Sequence, residues 1–159
     1  MAFNGATDIP IIQVSLPGDS SPVSAAKLGR ALASLRDQGY GIMGTGQAVH
    51  NLRDYMMGRN GSYGKVFMDA VSDAVRSKDV LNDTINLFRH PVYRSAHPTP
   101  EHLLPLVVAA AAVDPAEDKV NTLFVEPNGA LGWGMWLWKQ PEAAQAQPQV
   151  PAQPIEAKA

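Results

Sequence analysis

One capped helical segment between two apolar runs most constrains the fold of this chain. Ser21 is a good N-cap, Pro22 suits the first helical position, and Gly39 is a good stop. Between them, apolar residues recur at helical spacing: Leu28, Ala31, Leu32 and Leu35. The runs on either side, residues 9–16 and 40–45, are predicted to be strands. Strand, helix and strand in succession predict a βαβ unit with parallel strands and a right-handed crossover.

Composition limits the classes of protein to consider. The 159 residues are 45% hydrophobic and 18% charged, which suits one globular domain. The formal net charge is -2 and the basic residues do not cluster, so no nucleic-acid partner is expected. The longest apolar run, residues 103–113, is too short for a membrane span, and no signal peptide is recognised. We therefore expect a cytoplasmic protein with no membrane partner.

The remaining segments predict further helices and a hairpin. Helices are predicted over residues 66–75, 78–88 and 100–113, and strands over 120–125 and 131–138. Pro91 ends the second of these helices, and Thr99 is the predicted N-cap of the third. A turn at residues 127–129 joins the two strands. Residues 140–159, which are rich in Pro, Ala and Gln, are expected to form a disordered tail.

Histidines are the main candidates for chemistry. His50 follows the predicted strand 40–45 and a glycine-lined turn, and ligands bind at the carboxyl ends of strands in open α/β sheets. A hydrogen-bonded loop residue is the alternative interpretation of His50. His102 falls in the first turn of a predicted helix, where the helix dipole favours a neutral imidazole that can bind a metal. His97 is expected to bond locally, and His90 to be structural.

The sequence limits the kinds of metal site and excludes two common catalytic motifs. The chain has no cysteine, so a metal must be held by His, Asp or Glu, a donor set that suits non-haem iron or zinc. Residues 44–48 contain no serine and do not form a nucleophile elbow. The glycines match neither a phosphate loop nor a dinucleotide fingerprint.

Several motifs, taken in order, resemble one family. They are the apolar run at residues 9–16, Leu-Gly-Arg-Ala-Leu at 28–32, Leu-Arg-Asp at 35–37, Gly-Thr-Gly-Gln-Ala-Val-His-Asn-Leu-Arg at 44–53, and Ala-His-Pro-Thr-Pro-Glu-His-Leu-Leu-Pro-Leu at 96–106. This succession resembles the extradiol ring-cleaving dioxygenases of the catalytic LigB type, in their 4,5-DOPA dioxygenase-like branch. The resemblance runs from about residue 9 to residue 138, and the His-Asn-Leu-Arg and Pro-Thr-Pro-Glu-His segments are its specific parts.

The resemblance implies an activity and roles for two residues. Such enzymes use one non-haem ion, Fe(II) or Zn(II), to open a catechol ring with O2 beside its two hydroxyls. His50 would be the acid/base and, in some accounts, also a metal ligand, while His102 would be a metal ligand. The implied fold is a three-layer α/β/α domain with a mixed, partly parallel sheet, of which residues 1–139 are the C-terminal part.

The family's N-terminal motifs, His-Gly-Ser-Pro, Ser-Ala-His-Trp and Asp-His-Gly, do not occur in these 159 residues. Two hypotheses follow. In the first, the chain is the C-terminal part of a ring-cleaving dioxygenase. In the second, it is a catalytically inactive remnant that binds a partner or its own copy through an exposed sheet edge.

Overall fold

This computed structural model describes residues 9–59 and 61–140 of the chain. These residues contain six α-helices and a three-stranded sheet. The helices are α1 Pro22–Ala33, α2 Leu52–Met56, α3 Tyr63–Arg76, α4 Val80–Asn86, α5 Tyr93–Ala96 and α6 Leu104–Ala111. The strands are β1 Val49–His50, β2 Lys119–Asn128 and β3 Leu131–Lys139. The chain is therefore of the α/β class. In these two ranges, no helix is long and apolar enough to cross a membrane.

The sheet is antiparallel throughout the described residues, in the order β1–β3–β2. The predicted hairpin is confirmed: β2 and β3 pair along their length and Gly129 turns between them with a φ of 59°. Only glycine adopts such a positive φ freely, which explains why it occupies this turn. The short strand β1 pairs with β3 through His50 and Leu131, so His50 lies at one edge of the sheet.

The predicted strands at residues 9–16 and 40–45 are wrong for the described part of the chain. Both segments are unpaired there, and their apolar side chains face solvent, with Ile12 and Met43 each 72% exposed. A strand needs a neighbour to bond its backbone groups, and local sequence cannot supply one. The parallel βαβ pairing is therefore wrong for these residues, and the three-layer arrangement built on it is not confirmed.

The capped helix α1 is confirmed. The hydroxyl of Ser21 accepts a hydrogen bond from the backbone N–H of Val23 at 3.2 Å, and Gly39 ends the following turn with a φ of 87°. The face of α1 that packs on α6 consists of the small residues Ala25, Ala26 and Gly29. The two helices lie so close that a Cβ at Gly29 would collide with the carbonyl of Val108. The predicted stripe is only partly buried: Leu28 and Leu32 flank this contact, whereas Ala31 is exposed.

The main core lies between α3 and the sheet. The predicted helix at residues 66–75 is confirmed as α3, which buries Phe67, Met68, Val71 and Val75. The helix predicted at residues 78–88 is confirmed as α4 and a 3-10 turn after it. At the far end of β3, Trp138 donates a hydrogen bond from Nε1 to the carbonyl of Val75 at 3.2 Å, in keeping with a packing role for this tryptophan.

The turn of the hairpin is seated on the backbone at the start of α3. A Cβ at Gly61 would collide with the backbone at Gly129 and Ala130, and one at Gly64 would collide with the carbonyl of Gly129. Two backbones therefore touch without a side chain between them. This contact fixes the turn against α3, and β1 lies beside the same turn. The tail predicted at residues 140–159 lies, from residue 141 onward, outside the described residues.

Candidate functional site

The structure brings His50 and His102 together. Their imidazole rings stack with centroids 3.6 Å apart and an angle of 21° between the planes. The two residues are 52 positions apart in the sequence, and both are partly exposed. His50 is presented by the edge strand β1, and His102 by the turn that precedes α6. The fold thus creates a paired-imidazole site at a solvent-accessible edge.

Two glycines allow the chain before His50 to approach the turn that carries His102. A Cβ at Gly46 would collide with the carbonyl of His102, and one at Gly44 with the carbonyl of Pro105. The backbone N–H of Gln47 donates to the carbonyl of His102 at 3.2 Å. The glycine-lined turn predicted from the sequence therefore has a packing role, which is to bring two backbone segments into direct contact.

His102 lies outside the helix in which the sequence places it. The predicted helix at residues 100–113 begins at Leu104, and the residues before it form a turn. The hydroxyl of Thr99 donates to the carboxylate of Glu101 at 2.6 Å instead of capping a helix. The prediction that His102 lies in the first turn of a helix is therefore wrong, although its imidazole meets that of His50.

The electrostatic surroundings favour a neutral His50. Burial lowers the pKa of His50, the nearby His102 lowers it further, and Glu101 partly opposes both effects. The pKa of Glu101 is lowered chiefly by its hydrogen bond from Thr99, and the two imidazoles contribute to the same shift. A neutral imidazole has one free lone pair, so His50 can accept a proton.

His97 is fully buried, although the sequence predicts only local bonding for it. Its Nε2 donates to the carbonyl of Ala48 at 2.8 Å, across 49 positions of sequence. Its ring stacks on Tyr93 and meets Phe67 edge-on. Burial lowers the pKa of His97 to about 4. Sequence periodicity gives no signal for this role, because the partner of His97 is a backbone carbonyl.

Asn51, the residue after His50, is held by hydrogen bonds to two distant parts of the chain. Its backbone N–H donates to the carbonyl of Ala130 at 3.0 Å, and its Nδ2 donates to the carbonyl of Ser95 at 2.8 Å. Its Oδ1 caps α2 by accepting from the N–H of Asp54 at 3.0 Å. Asp54 also accepts from the hydroxyl of Tyr63, and burial together with this bond raises the pKa of Tyr63 to about 12. No local pattern in the sequence predicts this network, because Asn51 bonds a carbonyl 44 positions away along the chain.

His90 does not join the pair. Its Nδ1 accepts from the N–H of Val92 at 3.4 Å, and its ring meets Phe67 edge-on. These contacts are local and structural, as the sequence predicts.

The paired imidazoles are the right type of ligand for a metal ion, but they are too few and are wrongly oriented to hold one. Neutral imidazole is a good ligand for Zn(II) and Fe(II), and such sites use about three protein ligands. Within residues 9–59 and 61–140, no group of three or more His, Asp or Glu residues is arranged to hold an ion. An imidazole binds through a lone pair in the plane of its ring. Rings stacked almost parallel direct their lone pairs side by side, not at one point. His50 and His102 therefore do not form a complete metal site here.

The fold is similar to that of a solved structure. A crystal structure of an uncharacterized protein from Escherichia coli K12 superposes with a TM-score of 0.56 over 72% of this chain and 49% of the other, at 24% identity. This likeness shows a shared fold.

The family is shown by sequence. The family model described as the catalytic LigB subunit of aromatic ring-opening dioxygenase matches residues 1–137, and the chain belongs to this family. It is 32% identical to a 4,5-DOPA dioxygenase extradiol-like protein of Schizosaccharomyces pombe over 74% of its own length. It is 30% identical over 69% of its length to a 4,5-DOPA dioxygenase extradiol of Escherichia coli K12. The chain spans only 41% and 42% of these two relatives.

Proposed function

We propose that this chain carries part of a metal-dependent extradiol dioxygenase site that acts on a catechol-type aromatic with O2. The observation that supports the proposal is the contact between the His50 and His102 imidazoles. These residues belong to the two segments that carry the resemblance most specifically, and both lie inside the family match.

His50 is assigned the role of acid/base. Its lowered pKa keeps the imidazole neutral near pH 7, so it can take a proton from a catechol hydroxyl. His102 is assigned the role of a ligand to Fe(II) or Zn(II). Because the described residues offer only these two paired imidazoles, a complete site needs further donors from outside them, and one ring of the stacked pair must turn to coordinate.

Zinc titration followed by NMR of the histidine ring protons tests the metal assignment. We expect Zn2+ to perturb the His102 resonances of the native chain, and His102→Ala to abolish binding at this site. His90→Ala is the matched control, since His90 lies outside the pair, and this variant should bind zinc as the native chain does. If millimolar Zn2+ leaves the His102 resonances unchanged, the metal assignment is refuted.

Oxygen uptake with Fe(II) and a catechol then tests the reaction. If the chain carries a working site, His50→Gln should lower the uptake rate by about 10²–10⁴-fold, the range for loss of a general acid or base. The His90→Ala control should retain the native rate. Native uptake no faster than that of free Fe(II) would contradict turnover by this chain alone.

A second candidate function is self-association by an inactive chain. The observation that favours it is the exposure of large apolar side chains in the segments at residues 9–16 and 40–45, which carry no charged residue. Contact between these segments in two copies would remove the apolar side chains from water. Sedimentation over a hundredfold concentration range tests this alternative, which predicts a mass that rises with concentration and no zinc effect on His102.

A further inference from the structure

His97 is the one fully buried histidine among the described residues, and the proposed reaction gives it no role. Because the carbonyl of Ala48 can only accept a hydrogen bond, Nε2 of His97 must carry the hydrogen. Its Nδ1 is then a bare acceptor, and within residues 9–59 and 61–140 it is buried without a hydrogen-bond partner. A buried acceptor that makes no hydrogen bond is unfavourable to folding. A histidine at this position therefore carries a stability cost that an apolar ring would avoid.

The bond from His97 joins the two segments that present the imidazole pair. Ala48 lies two residues before His50, and His97 lies five residues before His102. The bond from Gln47 to the carbonyl of His102 joins the same two segments a few residues further on. The His50 and His102 rings meet beside these two links.

The ring of His97 is itself held in place. Phe67 meets it edge-on at 5.4 Å between centroids, and Tyr93 stacks on it at 5.9 Å. Its backbone N–H donates to the carbonyl of Tyr93 at 2.7 Å, which closes α5. A ring fixed on this many sides can transmit a fixed position to the carbonyl it bonds.

We propose that His97 is a positioning residue, which holds the backbone before His50 against the turn of His102 through the carbonyl of Ala48 and so sets the contact between the two imidazoles. The proposal rests on the proposed function only for the catalytic role of the two imidazoles. The positioning of their contact is independent of that role. Among the described residues, no hydrogen bond or ring stacking joins His97 to either imidazole of the pair. It acts through the backbone, as outer hydrogen-bond partners of metal-binding histidines do through their side chains.

Two variants separate the hydrogen bond from the packing of the ring. His97→Phe keeps an aromatic ring between Phe67 and Tyr93 and removes the donor. His97→Gln removes the ring and keeps an N–H donor within reach of the carbonyl of Ala48. If the His97 ring only fills space, His97→Phe should keep the native contact between the imidazoles. If the hydrogen bond positions the site, His97→Gln should keep that contact and His97→Phe should lose it.

The readout is the set of ring-proton chemical shifts of His50 and His102 in the metal-free chain. Stacked rings shift each other's protons, so these resonances report the contact directly and do not depend on metal binding or turnover. We expect His97→Phe to move both sets toward the values of isolated imidazoles, and His97→Gln to keep them near the native values. Circular dichroism and the core methyl resonances establish that each variant is folded.

Native resonances in a folded His97→Phe chain would overturn the proposal. So would a folded His97→Gln chain that has lost the contact, which keeps the proposal testable even if the Phe variant does not fold. A second arm titrates zinc into the native chain and tests the proposed metal role of His102 separately. Failure of zinc binding in the native chain would refute that metal role, while the metal-free shifts would still decide the role of His97.

Discussion

Acidification from pH 7.5 to pH 5 should destabilise the native chain more than the His97→Phe variant. Burial lowers the pKa of His97 from its ordinary value of 6.5 to about 4 in the folded protein. Between these values the unfolded chain binds a proton on this imidazole and the folded protein does not. The contribution of His97 is therefore constant above pH 6.5 and becomes increasingly unfavourable to folding as the pH falls toward 4.

The size of this effect follows from the shift. At about 1.4 kcal/mol per pKa unit, the full displacement corresponds to about 3 kcal/mol. Of this, about 2 kcal/mol develops between pH 7.5 and pH 5, because the folded protein is still almost unprotonated at His97 there. In a domain of this size, about 2 kcal/mol lowers the melting temperature by roughly 4–8 °C.

Urea unfolding at the two pH values measures the difference. Carboxylates titrate in both proteins, so their contribution cancels when the pH dependence of the variant is subtracted from that of the native chain. We expect the native free energy of unfolding to fall by about 2 kcal/mol more than that of His97→Phe. Equal pH dependence in the two proteins, within the error of extrapolation, would refute the claim that the His97 imidazole is buried in its neutral form.

Two further predictions concern packing and an ion pair. Gly46→Ala should destabilise the protein by about 1–3 kcal/mol and disturb the ring stacking, because the added Cβ collides with the carbonyl of His102. Gly41→Ala is the control, since a Cβ at Gly41 meets nothing within 4 Å. Equal losses of stability in the two alanine variants would contradict this prediction. Arg36→Gln should lower the free energy of unfolding by roughly 2 kcal/mol, because it leaves the buried carboxylate of Asp118 without its cation at 2.7 Å. Lys65→Gln, which removes an exposed pair, should change it by less than about 0.5 kcal/mol in urea unfolding, and a larger loss there would contradict the comparison.

Local signals explain the parts of the fold that the sequence predicts well. The N-cap Ser21 and the turn at Gly129 each act within a few residues of chain, and so does Gly39, which ends the 3-10 turn after α1 and not α1 itself. Such signals can be interpreted without knowing the tertiary structure. The sequence also predicts His50 and His102 as the candidate site residues, since each lies in a motif that resembles the family. Their stacking is a tertiary fact that no local pattern gives.

The errors have a common physical cause, which is competition among partners. Residues 9–16 have the composition of a buried strand, but strand formation depends on a neighbour that the described residues do not provide. Thr99 has the chemistry of an N-cap, yet its hydroxyl bonds the carboxylate of Glu101. His97 precedes a proline in an apparent loop, yet it is buried against a carbonyl 49 positions away. For residues 9–16 and for His97 a tertiary contact, or its absence, decided the outcome, whereas for Thr99 a local side-chain bond did.

The backbone contact between Gly64 and Gly129 bears on how the site comes into being during folding. The two glycines are 65 positions apart, and the same turn provides the carbonyl of Ala130 that fixes Asn51 beside His50. Closing such long loops is entropically unfavourable until both ends are in place, so these contacts belong to the slow, non-local part of folding. We therefore expect the His50 side of the imidazole pair to reach its native position only when the hairpin has docked on α3. A fragment that ends before β2 would contain both histidines and still lack the support that holds His50 at the sheet edge.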